Sequence, residues 1–235
     1  MVVVLDGVRL SQFLGTIIDG TLSWEKHCTK VANKISRNNG LLNRVKHLLP
    51  PSSLKLLYHS FIQPHIQYAL PAWGGCSAQN KKRIINIQKR AIRTITKSYY
   101  SAHTEPRMKK LGLLKFEDLY NLQSTLLAHD CFYDNAPKNI KSLIKVAQNT
   151  NHNLRNQVSN PLDLKVPNLK SRAGSHSFSQ VGSSSWNKVS SELRAINQKG
   201  RFKRAIKNSI LESYERKAVC SNPRCRDKVN HTCTG

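Results

Sequence analysis

The sequence predicts a mostly α-helical protein. A helical bundle is preceded by a short β strand or hairpin and followed by a loop-rich C-terminal region. Three observations predict this. Apolar residues recur three and four positions apart over several long stretches, the period of one helix face. A short apolar segment, Phe13 to Ile18, is interrupted by Gly15 and closed by Asp19-Gly20, residues that suit tight turns. Residues 134–198 are rich in Asn, Ser and Gly and hold little periodicity. No internal repeat is visible, and no Gly-rich phosphate loop of the Walker or dinucleotide type. The expected segments are 1–22, 23–133, 134–198, 199–216 and a Cys/His tail at 217–235.

After the turn at Asp19-Gly20, Ser23 is a candidate N-cap for the first helix. Trp24, Cys28, Val31 and Ile35 form its apolar face, which resumes at Leu42, Val45 and Leu49 beyond a weak point at Asn38-Asn39-Gly40. Its other side carries Lys26, Lys30, Lys34, Arg37, Arg44 and Lys46. Pro50-Pro51 ends it. Ser52 or Ser53 can cap a second helix with Leu54, Leu57, Tyr58, Phe61 and Ile62 as its apolar positions. Pro64 kinks or breaks that helix, and Pro71 with Gly74-Gly75 closes the segment. Of the aromatic residues here, Tyr68 and Trp73 are read as core.

A third helix spans about Ala78 to Ile95. Ile84, Ile87, Ala91 and Ile95 are its buried stripe, widened by Ile85 and Ile92. Lys82, Lys89, Arg93 and Lys97 make a basic stripe on the same helix, flanked by Arg83 and Arg90, so one side faces a core and the other faces phosphates. A fourth helix covers about Phe116 to Tyr133, with Glu117 and Asp118 favoured in its first turn by the helix dipole. Leu119, Leu122 and Leu126 face inward. Leu162, Leu164 and Val166 alternate as a short strand, and Phe178 and Trp186 are isolated anchors in Ser-rich loop. A last helix runs from about Gly200 to Tyr214, with Phe202, Ile206, Ile210 and Tyr214 on one face.

Charge narrows the function. The chain of 235 residues has 38 Lys and Arg against 13 Asp and Glu, a net charge of +25, although only 22% of residues are charged. Since about 25% is ordinary, the anomaly is a shortage of acids. Between Lys26 and Thr104 there is no acid at all, while fourteen Lys and Arg occur. Such a segment repels itself unless a polyanion supplies the counter-charge. Nucleic acid is the expected partner, because each phosphate engaged releases counterions. A membrane is not expected: there is no apolar run of 18 residues, and an anionic membrane surface usually calls for a basic amphipathic helix with bulky apolar residues and a flexible flank. A small-molecule substrate is not expected either. The start lacks a basic leader, and the cysteines do not resemble a secreted disulfide framework, so an intracellular protein, nuclear or cytoplasmic, is expected.

Catalysis is not expected of this chain. Two-metal polymerases and nucleases need several converging carboxylates, whereas the only adjacent acids, Glu117-Asp118, suit a helix start. Cys28, Cys76 and Cys131 read as small buried hydrophobes. No cofactor is expected, apart from zinc in the tail. There Cys220, Cys225, His231 and Cys233 form C-x4-C-x5-H-x-C, a tetrahedral ligand set by type though not by standard finger spacing. Arg224, Arg226 and Lys228 lie among them.

One ordered series of residues carries a resemblance. Phe13-Leu14-Gly15, Asp19, Leu22, Trp24 and His27 are followed by Lys34-Ile35-Ser36, Leu57-Tyr58, Pro64-His65, Tyr68 and Trp73-Gly74. Ile87-Gln88-Lys89-Arg90-Ala91-Ile92-Arg93 comes next, and thinner matches follow at Leu113-Leu114, Trp186-Asn187 and Phe202-Lys203. The series resembles the part following the catalytic palm in reverse transcriptases of jockey-like, LINE-type non-LTR retrotransposons. It covers nearly the whole chain, densely to residue 95. The resemblance implies that residues 1–22 end the palm, with Phe13, Leu14 and Gly15 as a primer-grip-like strand. It implies a thumb-like helical domain over 23–133, which holds an RNA–DNA or DNA duplex through its backbone. Lys30, Lys34, Arg37, Lys82, Arg83, Lys89, Arg90, Arg93 and Lys97 are the candidate backbone contacts. The family's catalytic aspartates precede the Phe-Leu-Gly strand, and nothing in this chain corresponds to them. The expectation is therefore a binding fragment of an RNA-directed DNA polymerase. The competing expectation is an independent basic adaptor for RNA or chromatin with a zinc-binding tail.

Overall fold

The structure, a computed structural model, describes residues 10–147, 160–169 and 171–216. It is mostly helical with a two-stranded antiparallel hairpin near the start, the predicted fold class. The described residues cluster into two units, one running to Phe116 and one from Glu117 to Glu215.

The first unit opens with β1 (Leu10–Phe13) and β2 (Thr16–Asp19), paired so that Leu10 faces Asp19 and Phe13 faces Thr16. The two residues between them, Leu14 and Gly15, have φ of 45° and 82°. Positive φ at both positions is the two-residue turn whose twist matches a hairpin. Glycine adopts it freely and leucine does not. The turn expected after Asp19 is also present, closed by the Leu22 amide on the Asp19 carbonyl at 3.0 Å.

Asp19 then starts the first helix, α1 (Glu25–Val45). Its carboxylate accepts the Ser23 amide at 2.7 Å, the Ser23 hydroxyl and the Trp24 amide at 3.1 Å. Ser23 is consequently not the N-cap expected from the sequence. Trp24 holds that position in a left-handed conformation with no side-chain cap; Asp19 fixes the two amides before the helix, and the Ser23 hydroxyl accepts the first helical amide, Glu25, at 3.4 Å. Although partial burial pushes the Asp19 carboxyl up, hydrogen bonds from Ser23, Thr21 and Trp24 outweigh it and hold its pKa below the usual carboxylate value.

α1 runs unbroken through Asn38-Asn39-Gly40 and buries Cys28, Val31, Ile35 and Leu42. α2 (Pro51–Phe61) begins on Pro51 rather than on a serine cap, since proline at the first helical position loses no bond that a helix would make. Leu54, Tyr58 and Ile62 are buried, whereas Phe61, expected in the core, is exposed. α3 (Gln63–Gln67) and α4 (Leu70–Trp73) each carry their proline in the first turn, so Pro64 and Pro71 start short helices as well as ending others. α5 (Ala78–Ile95) has the predicted bounds and a Ser77 cap that accepts the Asn80 amide at 3.4 Å. α6 (Glu105–Leu111) follows.

The core of this unit contains one amide. Gln88, placed by its neighbours on a basic stretch, is 0% exposed. Its Nε2 donates to Tyr58 Oη and to the Leu114 carbonyl, each at 2.9 Å, and its Oε1 accepts the Phe116 amide at 3.0 Å. Phe116 in turn packs against Trp73, ring centroids 5.5 Å apart.

The second unit takes up α7 (Phe116–Phe132) from Glu117 onward, so this helix groups apart from the helices before it. α8 (Lys138–Lys141), α9 (Arg172–Ser175), α10 (Phe178–Asn187), α11 (Ser191–Arg194) and α12 (Lys199–Arg216) complete it. The strand expected at Leu162 to Val166 is reduced to one antiparallel bridge, Val146 with Leu164. Asn187 takes up the bonding a longer strand would supply, accepting the Leu164 amide at 2.9 Å and donating to its carbonyl at 2.8 Å. The Ser-rich stretch expected as loop is helix α10. Gly182 gives room for the Phe178 ring one turn earlier, since a Cβ there would lie 2.6 Å from it. Trp186, Phe202 and the buried His129 form an aromatic core, the His129 and Phe202 rings stacked at 4.4 Å.

Gln88→Ala leaves three buried polar groups without partners, each costing about 1–3 kcal/mol. The expected loss of unfolding free energy in urea is about 3 kcal/mol or more, and a loss below about 0.5 kcal/mol contradicts the network. Asp19 gives a pH signature. Its folded pKa is depressed, so its stabilisation is complete above the usual carboxylate pKa and is lost as pH falls through the lower folded value. Asp19→Asn is expected to flatten that acid limb in thermal melts, while an unchanged limb assigns the acid response to other groups.

Candidate nucleic-acid interface

The feature of the first unit that matches its charge is a cleft between α1 and α5. Along α1 the residues Thr29, Asn33, Ser36, Gly40, Asn43 and His47 follow one another at intervals of four and three, a stripe of small and polar side chains beside the apolar one. At its start the helices are tied: Arg83 of α5 donates to Thr29 Oγ1 at 3.3 Å and to Asn33 Oδ1 at 3.1 Å. Further along, the small residues leave space. Ser36, Asn39, Gly40, Asn43, Lys46 and His47 line one side of an open cavity of about 590 Å³, and Arg90, Arg93, Thr94, Lys97, Ser98 and Tyr100 line the other.

No carboxylate lines this cleft, because its walls fall within the acid-free segment. Among the described residues, Glu105 of the same unit pairs with Lys115 at 3.0 Å and Asp19 is occupied at the start of α1. Arg93 records the result. Burial lowers its pKa, and Arg107 and Arg90 beside it lower it further, with only Tyr100 acting in the opposite sense. Its Nε donates to the Ala102 carbonyl at 3.0 Å, and its guanidinium carbon lies 5.5 Å from the centroid of the Tyr100 ring. Arg93 is thus held in place, while Arg90 and Lys97 extend from exposed positions. The Asn39 carboxamide oxygen, in the same wall, has no hydrogen-bond partner.

The structure divides the cations singled out from the sequence. Arg90, Arg93 and Lys97 meet in the cleft. Lys82 and Lys89 lie on the same helix outside it, and Arg83 is used to join α1 and α5. Lys30, Lys34 and Arg37 occupy another flank of α1: Lys30 Nζ donates to the Gly15 carbonyl at 3.0 Å, and Lys34 stands near enough to His65 to depress its pKa, second to burial. Lys46, His47, Asn43 and Tyr100 were not anticipated in a site. The spacing of small polar residues on α1 was the available signal for Asn43 and His47, since it marks where a helix face is neither core nor bulky. Tyr100 has no such signal, because a turn brings it back over α5.

Phe13, Leu14 and Gly15 form the tip of the hairpin. Phe13 is 63% and Leu14 74% exposed. The tip is pinned from two sides, by Lys30 on Gly15 and by the Tyr68 hydroxyl donating to the Leu14 carbonyl. Tyr68 is therefore not a core residue. It is 52% exposed, and only its backbone carbonyl turns inward to accept Trp73 Nε1 at 2.8 Å. Trp73 itself is fully buried.

Cys28, Cys76 and Cys131 are buried free thiols. Cys28 and Cys76 share a hydrogen bond, which together with burial pushes the Cys28 thiol up and keeps it protonated. Cys220, Cys225, His231 and Cys233 lie outside the described residues. Among the described residues no group of three or more His, Cys, Asp or Glu is arranged to hold a metal ion. No described helix is long and apolar enough to cross a membrane. Comparisons with protein-family models, curated proteins and solved structures find no match.

Proposed function

We propose that the chain binds the sugar–phosphate backbone of nucleic acid through the α1–α5 cleft. On this reading it is the binding segment of a reverse transcriptase similar to those of jockey-like, LINE-type non-LTR retrotransposons, whose post-palm residue order it resembles. The observation that carries the proposal is the cleft lined by Lys46, His47, Arg90, Arg93 and Lys97 with no carboxylate in its walls. Cations at this density raise each other's energy, and a polyphosphate relieves that repulsion while releasing counterions. A small neutral ligand offers no such gain. The partner class is an RNA–DNA or DNA duplex and the strand continuing from it, engaged with little regard for sequence because phosphates are alike. The proposal assigns the chain no catalytic step: two-metal phosphoryl transfer needs converging carboxylates, and Asp19 and Glu105 have structural tasks.

Binding of fluorescent oligonucleotides to the full chain tests this. Lys46→Glu, Arg90→Glu and Lys97→Glu together are expected to abolish binding at about 0.1 M salt. Removing the three contacts is also expected to reduce the slope of log affinity against log salt by about 2 to 3. Lys82→Glu with Lys89→Glu, outside the cleft, is expected to have a smaller effect. Equal effects of the two variants refute the cleft as the site, and no effect of either refutes backbone binding by this helix.

A further inference from the structure

We infer that the cleft ends in a stacking site for one unpaired base, formed by Tyr100 on the Arg93 guanidinium, so that it takes a nucleic-acid strand where that strand is single. The inference rests on the backbone-binding reading and adds the strand state that the site selects.

The geometry begins with a turn. The Ala102 amide donates to the Tyr99 carbonyl at 3.1 Å, which places Tyr100 at a turn position just after α5. The Ala102 carbonyl then accepts Arg93 Nε at 3.0 Å, locking the turn onto the helix. The same guanidinium lies 5.5 Å from the centre of the Tyr100 ring. The ring is held by a cation and two hydrogen-bonded backbone groups, yet it is 79% exposed. An exposed tyrosine that merely decorates a surface has no need of a half-buried, hydrogen-bonded arginine against it. Here the arginine is partly desolvated among like charges, a cost that a ligand stacking on the ring and placing its phosphate near Arg90 and Lys97 would offset.

A base recognises such a ring through its π face, whatever its hydrogen-bonding edge. In a duplex both faces of each base are covered by neighbours, so the ring can be used only by a base that is unpaired or unstacked. The phosphates flanking that base fall beside the exposed cations of α5, and the cleft between α1 and α5 receives the adjoining backbone. The substrate class is therefore single-stranded DNA or RNA, including an overhang beyond a duplex, bound without sequence preference.

The test uses the full chain and two probes of equal length and salt: a single-stranded oligonucleotide with one 2-aminopurine, and a blunt duplex. Tyr100→Ala is expected to weaken single-strand binding about 5- to 150-fold, the range for loss of one stacked base, to weaken duplex binding several-fold less, and to leave the salt slope unchanged. Tyr100→Trp is expected to restore single-strand binding, and the 2-aminopurine emission is expected to be quenched by the wild type and Tyr100→Trp but not by Tyr100→Ala. Because the ring is exposed, its removal leaves the fold intact, which circular dichroism checks. If Tyr100→Ala binds single strands as well as wild type while Arg90→Glu with Lys97→Glu loses both probes, the stacking site is refuted and backbone binding stands. If the charge reversals change neither probe, the backbone reading itself falls, and the stacking site falls with it.

Discussion

A single side-chain amide holds the first unit in register. Gln88 joins Tyr58 on α2, its own helix α5, and the Leu114–Phe116 segment that leads into α7. A buried amide is tolerable only when its donors and acceptor are all engaged, so those three parts of the chain must be placed together or not at all. Burial pushes the Tyr58 hydroxyl up to about 12, overriding the opposing effect of Gln88, and it stays a neutral hydroxyl at any ordinary pH. The orientation of α5 follows. With Gln88 turned inward, Arg90 lies about 200° round the helix, and Arg93 and Lys97 come within the same outward sector. The basic side of the helix is aimed by the polar residue on its buried side.

That aim has consequences because nothing nearby neutralises it. Elsewhere in the described chain, cations close to carboxylates are bonded to them. Along the cleft they are left facing solvent beside small residues of α1, and Arg93 is half-buried among them. The arrangement is costly for an isolated protein and suits one that works against a polyanion. The hairpin tip is comparable: an exposed Phe13 and Leu14 on a leucine with positive φ are held by Lys30 and Tyr68. Backbone strain and exposed apolar groups at a pinned tip are features that folding alone does not require.

How much of this was legible in the sequence depended on which interactions were local. α5 was readable to its end residues because its apolar period, Ser77 cap and length agree. α1, α7 and α12 were readable from apolar period and length, although α1 stops at Val45 and not at Pro50. The Phe13 to Ile18 segment showed its strand character but not its turn, since Leu14 is a poor residue for positive φ. Helix α10 was hidden: its Ser residues favour loops when counted singly, and the burial of Gly182, Ser183 and Trp186 along one face depends on distant partners. Ser23 was a reasonable cap by type, and its hydroxyl does accept the Glu25 amide, but it stands one residue early, held by Asp19 across a turn, and Trp24 takes the cap position. The cleft was half legible. Periodicity placed Arg90, Arg93 and Lys97 on one side of α5, but could not say that α1 would face them, nor that Arg83 and Lys30 would be spent on structural bonds. The burial of Gln88 was not legible, because a polar residue among Lys and Arg carries no local sign of it; its partners are 26 to 30 residues away.

The two units deal with charge in opposite ways, and the contrast bears on function. In the second unit the described aspartates are engaged: Asp130 with Lys199, Asp134 with Lys141, Asp163 with the buried Arg194, and Asp118 with the Tyr214 hydroxyl at 2.6 Å. These bonds connect α7 to α12 and α11 to the segment around Leu164, so acids there serve packing. In the first unit acids serve only at the edges, Asp19 before α1 and Glu105 with Lys115, while between the helices the bonds come from Gln88, from Arg83 on neutral side chains and from Arg93 and Arg107 on backbone carbonyls. Arginine can bond in this way to neutral oxygens and keep its charge. The unit is thereby cross-linked by its cations while its positive field remains intact. A surface charge placed only for solubility needs no such construction, whereas a surface meant to meet phosphate requires both the rigidity and the undiminished charge.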